Sequence, residues 1–102
     1  MIPNKEEILK QKQLEYDNQI ETQKNRKEIA EKACSKINSQ IPINRDDPYW
    51  VYPTSCSNEY FQINGENKSY NIYYSDNTFK EKIMKFLSKL NYPIPKILND
   101  LP

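Results

Sequence analysis

Histidine is absent from the 102 residues, glycine occurs once and cysteine twice. Histidine is the side chain most used for proton transfer near neutral pH, so an active site here would have to rest on carboxylates, a tyrosine, a lysine or a thiol. None of these falls in a catalytic arrangement, and the expectation is a protein that is not an enzyme and carries no cofactor. One glycine cannot build a phosphate-cradling loop. Two thiols cannot close a zinc site without histidines, so no metal is expected. Small secreted domains stapled by disulfides use more cysteines than Cys34 and Cys56, which are therefore read as reduced thiols without an identifiable base beside them.

Long apolar runs are also lacking near the N-terminus, which argues against a signal peptide or a membrane span. The expected setting is the cytoplasm or the inside of a virus particle rather than secretion. Asn67-Lys68-Ser69 matches a glycosylation sequon, but without a secretory signal the match carries no weight. Charge of one sign is missing as well. The formal net charge is +1, made of +1 over residues 1–41, −3 over 42–77 and +3 over 78–102. No stretch approaches the dense basic stripe that drives phosphate binding.

What the chain does have is asparagine, lysine, isoleucine and tyrosine in excess, the signature of an AT-rich gene. The apolar fraction is 36%, but eight of those residues are tyrosines whose hydroxyls need partners, so core material is thin. A single small, marginally stable domain follows.

The most informative feature lies between Pro3 and Pro42, where 38 consecutive residues contain neither proline nor glycine. Asn4 can cap a helix, with Glu6 and Glu7 in its first turn where the backbone dipole favours acids. Leu9, Gln13, Tyr16, Ile20, Gln23, Lys27, Ala30, Cys34, Ile37 and Ile41 recur at alternating spacings of four and three, the register of a coiled-coil seam. Polar residues in mid-seam divide it into an outer patch of Leu9, Tyr16 and Ile20 and an inner patch of Ala30, Cys34 and Ile37, widened by Ile29 and Ala33. The inner patch has small residues and is expected to dock on the rest of the chain. The outer patch must meet a partner, fold back after a break near Gln23–Arg26, or fray.

Pro42, Asp46, Asp47, Pro48 and Pro53 then break the periodicity, with Asp46-Asp47 read as turn formers. The segment Tyr49-Trp50-Val51-Tyr52 is extended, which sends Trp50 and Tyr52 to one side and Tyr49 and Val51 to the other. Both sides need cover, either inside the parent fold or, in the sharper reading, at an interface centred on Trp50. Residues 59–74 read as a hairpin turning at Asn64-Gly65-Glu66-Asn67, where glycine would supply a positive φ. An even loop length puts Phe61, Ile63, Tyr70, Ile72 and Tyr74 on one face. Thr78-Phe79-Lys80-Glu81 fits a capping box, with Asp76 and Asn77 as competing caps, for a helix running to about Leu90. Phe79, Ile83, Phe86, Leu87 and Leu90 form its apolar stripe, and Asn91 and Pro93 stop it. The tail keeps Ile94, Ile97, Leu98 and Leu101, too apolar to remain in water.

The expected fold is α+β: a long helical arm over 1–41, then a small body over 42–102. In the body a tyrosine-rich hairpin or small sheet is covered by an amphipathic helix, and an apolar tail follows. The expected function is a structural or interaction subunit of a homo-oligomer or larger assembly, with a virion or other large particle as the setting. Docking would run through Leu9, Tyr16, Ile20, Trp50, Ile94, Ile97, Leu98 and Leu101. The alternative is a small nucleic-acid-binding accessory protein using Lys82, Lys85 and Lys89, although a lysine face is also what the solvent side of any amphipathic helix looks like.

Overall fold

The computed structural model describes residues 5–102, with side chains described from Tyr16 onward. The expected cap Asn4 and the side chain of Leu9 lie outside the described residues. Helix α1 (Lys5–Gln40) runs 36 residues, a length of roughly 54 Å at about 1.5 Å per residue. It continues through Gln23–Arg26 without interruption, which closes the fold-back alternative. The molecule is accordingly elongated, at 67 × 26 × 19 Å.

After α1 the chain forms β1 (Thr54–Cys56), β2 (Tyr60–Asn64), β3 (Ser69–Tyr73), helix α2 (Phe79–Lys89) and a 3₁₀ turn (Lys96–Asp100). The three strands make one antiparallel sheet in the order β1-β2-β3. The architecture is the expected α+β fold with one addition. Strand β1 had no signal in the sequence, because Thr54-Ser55-Cys56 is short and lacks alternating apolar residues.

Phe61 pairs with Ile72 and Ile63 with Tyr70, across an even loop spanning 65–68. This register places Thr54, Cys56, Phe61, Ile63, Tyr70 and Ile72 on one face, because residues directly opposite each other in a ladder share a side of the sheet. The opposite face carries Ser55, Gln62 and Asn71, joined by hydrogen bonds from the Ser55 hydroxyl to Gln62 Oε1 and from Gln62 Nε2 to Asn71 Oδ1. The first face is largely apolar, while the second carries these polar residues and the Tyr60–Tyr73 ring pair, so the helices share the first side and the body has two layers.

Phe61, Ile63, Ile72, Phe79, Ile83, Leu87 and Leu98 are fully buried at the centre, joined by Ala30, Ala33 and Ile37 of α1. Each large aliphatic or aromatic side chain there contributes on the order of 1.5–3 kcal/mol of burial. Ala30 and Ala33 have little side chain to keep α1 away from the sheet, which lets the inner half of the helix lie close on β1 and β2. Asn38 fastens that approach. Its Oδ1 accepts the Thr54 backbone N–H and hydroxyl, both at 3.0 Å, and its Nδ2 donates to the Thr54 carbonyl at 3.0 Å.

Thr78 stands at the N-cap of helix α2 but makes no side-chain capping bond, and Asp76 holds it from outside the helix. The Asp76 carboxylate accepts both the backbone N–H and the hydroxyl of Thr78 at 2.8 Å and pairs with Lys82. The helix ends on Asn91, whose φ of 57° is the only positive value at a non-glycine residue among the described residues. The Asn91 N–H donates to the Ser88 carbonyl at 3.1 Å and the Tyr92 N–H to the Leu87 carbonyl at 2.9 Å. This is the paired closure of a Schellman motif, with asparagine where glycine is usual.

Gly65, expected to supply a positive φ at the hairpin, does not. What it supplies is room. A Cβ there would lie 3.1 Å from Leu90 Cδ2 and 3.2 Å from the Lys68 carbonyl oxygen.

Candidate docking surface

N-terminal to Arg26, which is 8% exposed, one side of α1 still lies near the body, where Asn18, Gln19, Thr22 and Gln23 line a cleft with Ser75 and Asn77, while another side is exposed. Tyr16 is 60% exposed and Ile20 48% exposed, four residues apart and so on the same side of the helix. Two of the three outer-patch residues are therefore in place and uncovered by their own chain, while Leu9 falls outside the described side chains. Arg26 itself was missed in the sequence, although it stands four residues before Ala30 in the run Arg26, Ala30, Ala33, Ile37 that forms the buried stripe. Its guanidinium donates to the Tyr74 carbonyl at 2.6 Å and lies 5.9 Å from the centroid of Phe79. Its Nε is the one buried side-chain polar atom without a hydrogen-bond partner among the described residues.

A second exposed group is built by the proline-punctuated connection. The Asp47 carboxylate accepts the Tyr49 N–H at 2.9 Å, and the Asp47 carbonyl accepts the Trp50 N–H at 3.2 Å. The acidic pair thus forms turns, as its sequence suggests. Trp50 and Tyr52 meet edge to face at 5.2 Å, in agreement with their shared parity. Burial in the body does not follow, however: Tyr49 is 87% exposed and Val51 61%, and Trp50 and Tyr52 are also exposed.

Asn64 anchors this strip. Its Nδ2 donates to the Tyr52 carbonyl at 2.7 Å, its N–H donates to the Pro53 carbonyl at 2.8 Å, and its own carbonyl accepts the Tyr92 hydroxyl. Burial raises the ionisation point of the Tyr92 hydroxyl, keeping it a donor. Trp50 and Val51, with Ile41, Ile43, Pro53 and Tyr92, line an open cleft of about 370 Å³. Asn44, Asp47, Asn64 and Glu66 belong to the lining too, which is therefore mixed apolar and polar.

The tail behaves differently from the expectation. Leu98 is fully buried, Leu101 is 4% exposed and Ile97 packs partly buried against the core, leaving only Ile94 substantially exposed, at 42%. The 3₁₀ turn folds back onto α1, so the apolar tail closes this chain's own core instead of reaching for a neighbour. Leu98, Leu101 and Ile97 therefore leave the docking set. The thin hydrophobic content of the chain explains this: a small core needs every aliphatic residue it can gather.

Of the lysines in the nucleic-acid alternative, Lys82 is held by Asp76. Lys82 and the Thr78 donors hold the Asp76 carboxyl well below the usual carboxylate range. Lys85 and Lys89 remain exposed. Lys89 lies 5.8 Å from the Tyr70 ring, whose face is stacked on Phe86 at 4.3 Å. That stack occupies one of the two surfaces Tyr70 could offer a base.

No cluster of metal-binding side chains occurs among the described residues, and no helix among them is long and apolar enough to cross a membrane. The chain matches no protein-family model, no curated protein and no solved structure. The arm and the aromatic cleft must be interpreted on their own chemistry.

Proposed function

We propose that this chain is a non-enzymatic interaction subunit of a larger protein assembly, either of copies of itself or with other chains. It docks through the Tyr16 and Ile20 face of the arm, with the Trp50 cleft and Ile94 as secondary contacts. The observation that carries this reading is the exposure of Tyr16 and Ile20 on an unbroken helix extending past the body. A helix surrounded by water gains little stability from propensity alone, whereas burying an apolar face on a partner stabilises it.

The nucleic-acid reading has less support, since one of its three lysines is paired and the nearest aromatic ring is already stacked. A virion or other large particle suits a subunit of this shape and remains part of the proposal. The test is the mass of the purified chain by light scattering at micromolar concentration, together with what co-purifies with it at native abundance. A mass above the monomer, or a stoichiometric partner, that is lost in Tyr16→Ser/Ile20→Ser while circular dichroism stays unchanged is the expected result. A well-folded monomer that co-purifies with nothing overturns the proposal.

A further inference from the structure

The cleft between α1 and the turn that joins β3 to α2 has a volume of about 330 Å³. Its described lining consists of side-chain amides, two hydroxyls and a single charge, that of Arg26. Arg26 is more than nine-tenths buried, yet the body does not satisfy it. Of its five N–H donors, one finds an acceptor among the described residues, the Tyr74 carbonyl at 2.6 Å, and its buried Nε finds none. No described carboxylate pairs with it either. Asp76, which stands between Ser75 and Asn77, is already held by Lys82 and the Thr78 donors. Phe79 offers the guanidinium only a ring face, with its centroid at 5.9 Å. A buried cation without a counter-charge is costly, and an anion in the cleft removes that cost. We propose that this cleft is a carboxylate-binding site, in which Arg26 holds the carboxylate of a small polar acid and the surrounding amides and hydroxyls hold its neutral polar groups.

The lining selects the ligand by charge and by hydrogen bonding. A guanidinium is a planar fork of donors that matches a carboxylate, and a single cation balances a single negative charge. A phosphate dianion would leave one charge over. Amides and hydroxyls both donate and accept, so they suit an acid that also carries hydroxyl or amide groups better than a purely apolar one. The volume is at the lower end of the range that small-molecule clefts span. Glu21, beside Thr22 on α1, is exposed, and its repulsion of an anion is weakened by solvent.

An acid bound there bridges α1 to the turn before α2 and fastens the arm where it meets the body. The residues used, at 18, 19, 22, 23 and 26, lie on a side of α1 different from that of Tyr16 and Ile20. The site therefore goes beyond the docking proposal and does not rest on it: it is tested on the chain alone, whatever that chain assembles with.

The experiment titrates the full nitrogen-15-labelled chain near pH 7, at constant ionic strength, with N-acetylglycine, with its uncharged analogue N-acetylglycinamide and with inorganic phosphate. The Arg26 Nε–H resonance is the readout, because the guanidinium is one conjugated group and its Nε–H responds whichever edge the carboxylate meets. N-acetylglycine should shift this resonance and the Gln23 and Asn77 amide resonances along one saturating curve, with a Kd of about 5 mM. At 50 mM it should raise the Tm by about 6 °C. N-acetylglycinamide should bind at least about tenfold more weakly, as loss of a charge-assisted pair requires. Asn77→Ala, at the exposed rim, should weaken N-acetylglycine about threefold with circular dichroism unchanged. Arg26→Gln should abolish saturation, and the Nε–H titration of the unsubstituted chain decides the matter should that variant fail to fold. An Arg26 resonance unmoved by 50 mM N-acetylglycine, equal affinity for the uncharged analogue, or tighter binding of phosphate overturns the proposal.

Discussion

The inner and outer halves of α1 share one helix and one spacing of apolar residues, yet they have opposite fates. Ala30 and Ile37 are fully buried, while Tyr16 and Ile20, in the same periodic run, are 60% and 48% exposed. Periodicity states which side of a helix is apolar. It does not state whether anything lies opposite that side. The inner half has a sheet, a clamping Asn38 and a returning tail; the outer half extends past all three. An apolar stripe longer than the body it serves therefore marks the part of a chain available to other molecules.

Three substitutions test this contrast, each by chemical denaturation with circular dichroism. Ile37→Ala removes a fully buried side chain from the inner half and should lower stability by about 2–5 kcal/mol, through lost burial and the cavity left behind. A loss under about 1 kcal/mol would mean that the inner half is held as loosely as the outer. Gly65→Ala probes the tightness of the body itself. The added methyl meets Leu90 and the Lys68 carbonyl, and that carbonyl already accepts the Gly65 N–H at 2.7 Å and so cannot easily retreat. A cost of about 1 kcal/mol is expected, and a gain in stability would show that the turn relaxes freely. Ile20→Ser, in the outer half, should change the stability of the isolated chain by less than about 0.5 kcal/mol. A larger loss would place Ile20 in a contact within the chain and erase the distinction between the halves.

Much of the fold can be read from local pattern. The hairpin register follows from the alternation of Phe61 and Ile63 with Tyr70, Ile72 and Tyr74, because an odd loop would have turned one set into water. Helix α2 follows from its apolar stripe and its stop at Asn91. The turn-forming task of Asp47 follows from its place before Pro48. Other features were out of reach because they depend on what meets what. Strand β1 exists because Asn38 and β2 offer it hydrogen bonds, not because Thr54-Ser55-Cys56 favours extension. Arg26 is buried because Tyr74 and Phe79 lie where its side chain ends. The clamp of Asn38 on Thr54 required two distant segments to meet. The exposed apolar set was legible only in part: Tyr16 and Ile20 are exposed, whereas Leu98 and Leu101 had an equally apolar sequence but closed the core.

Residue order alone settles the type of α1, α2 and the hairpin and the facing of the hairpin strands, since these depend on dihedral preference and on periods of 3.6 and 2 that repeat along the chain; it does not settle β1 or whether α1 runs unbroken. Which apolar residues stay in water is settled by the folded shape. Burial depends on distances between segments far apart in sequence, and a straight helix of this length outruns a body this small.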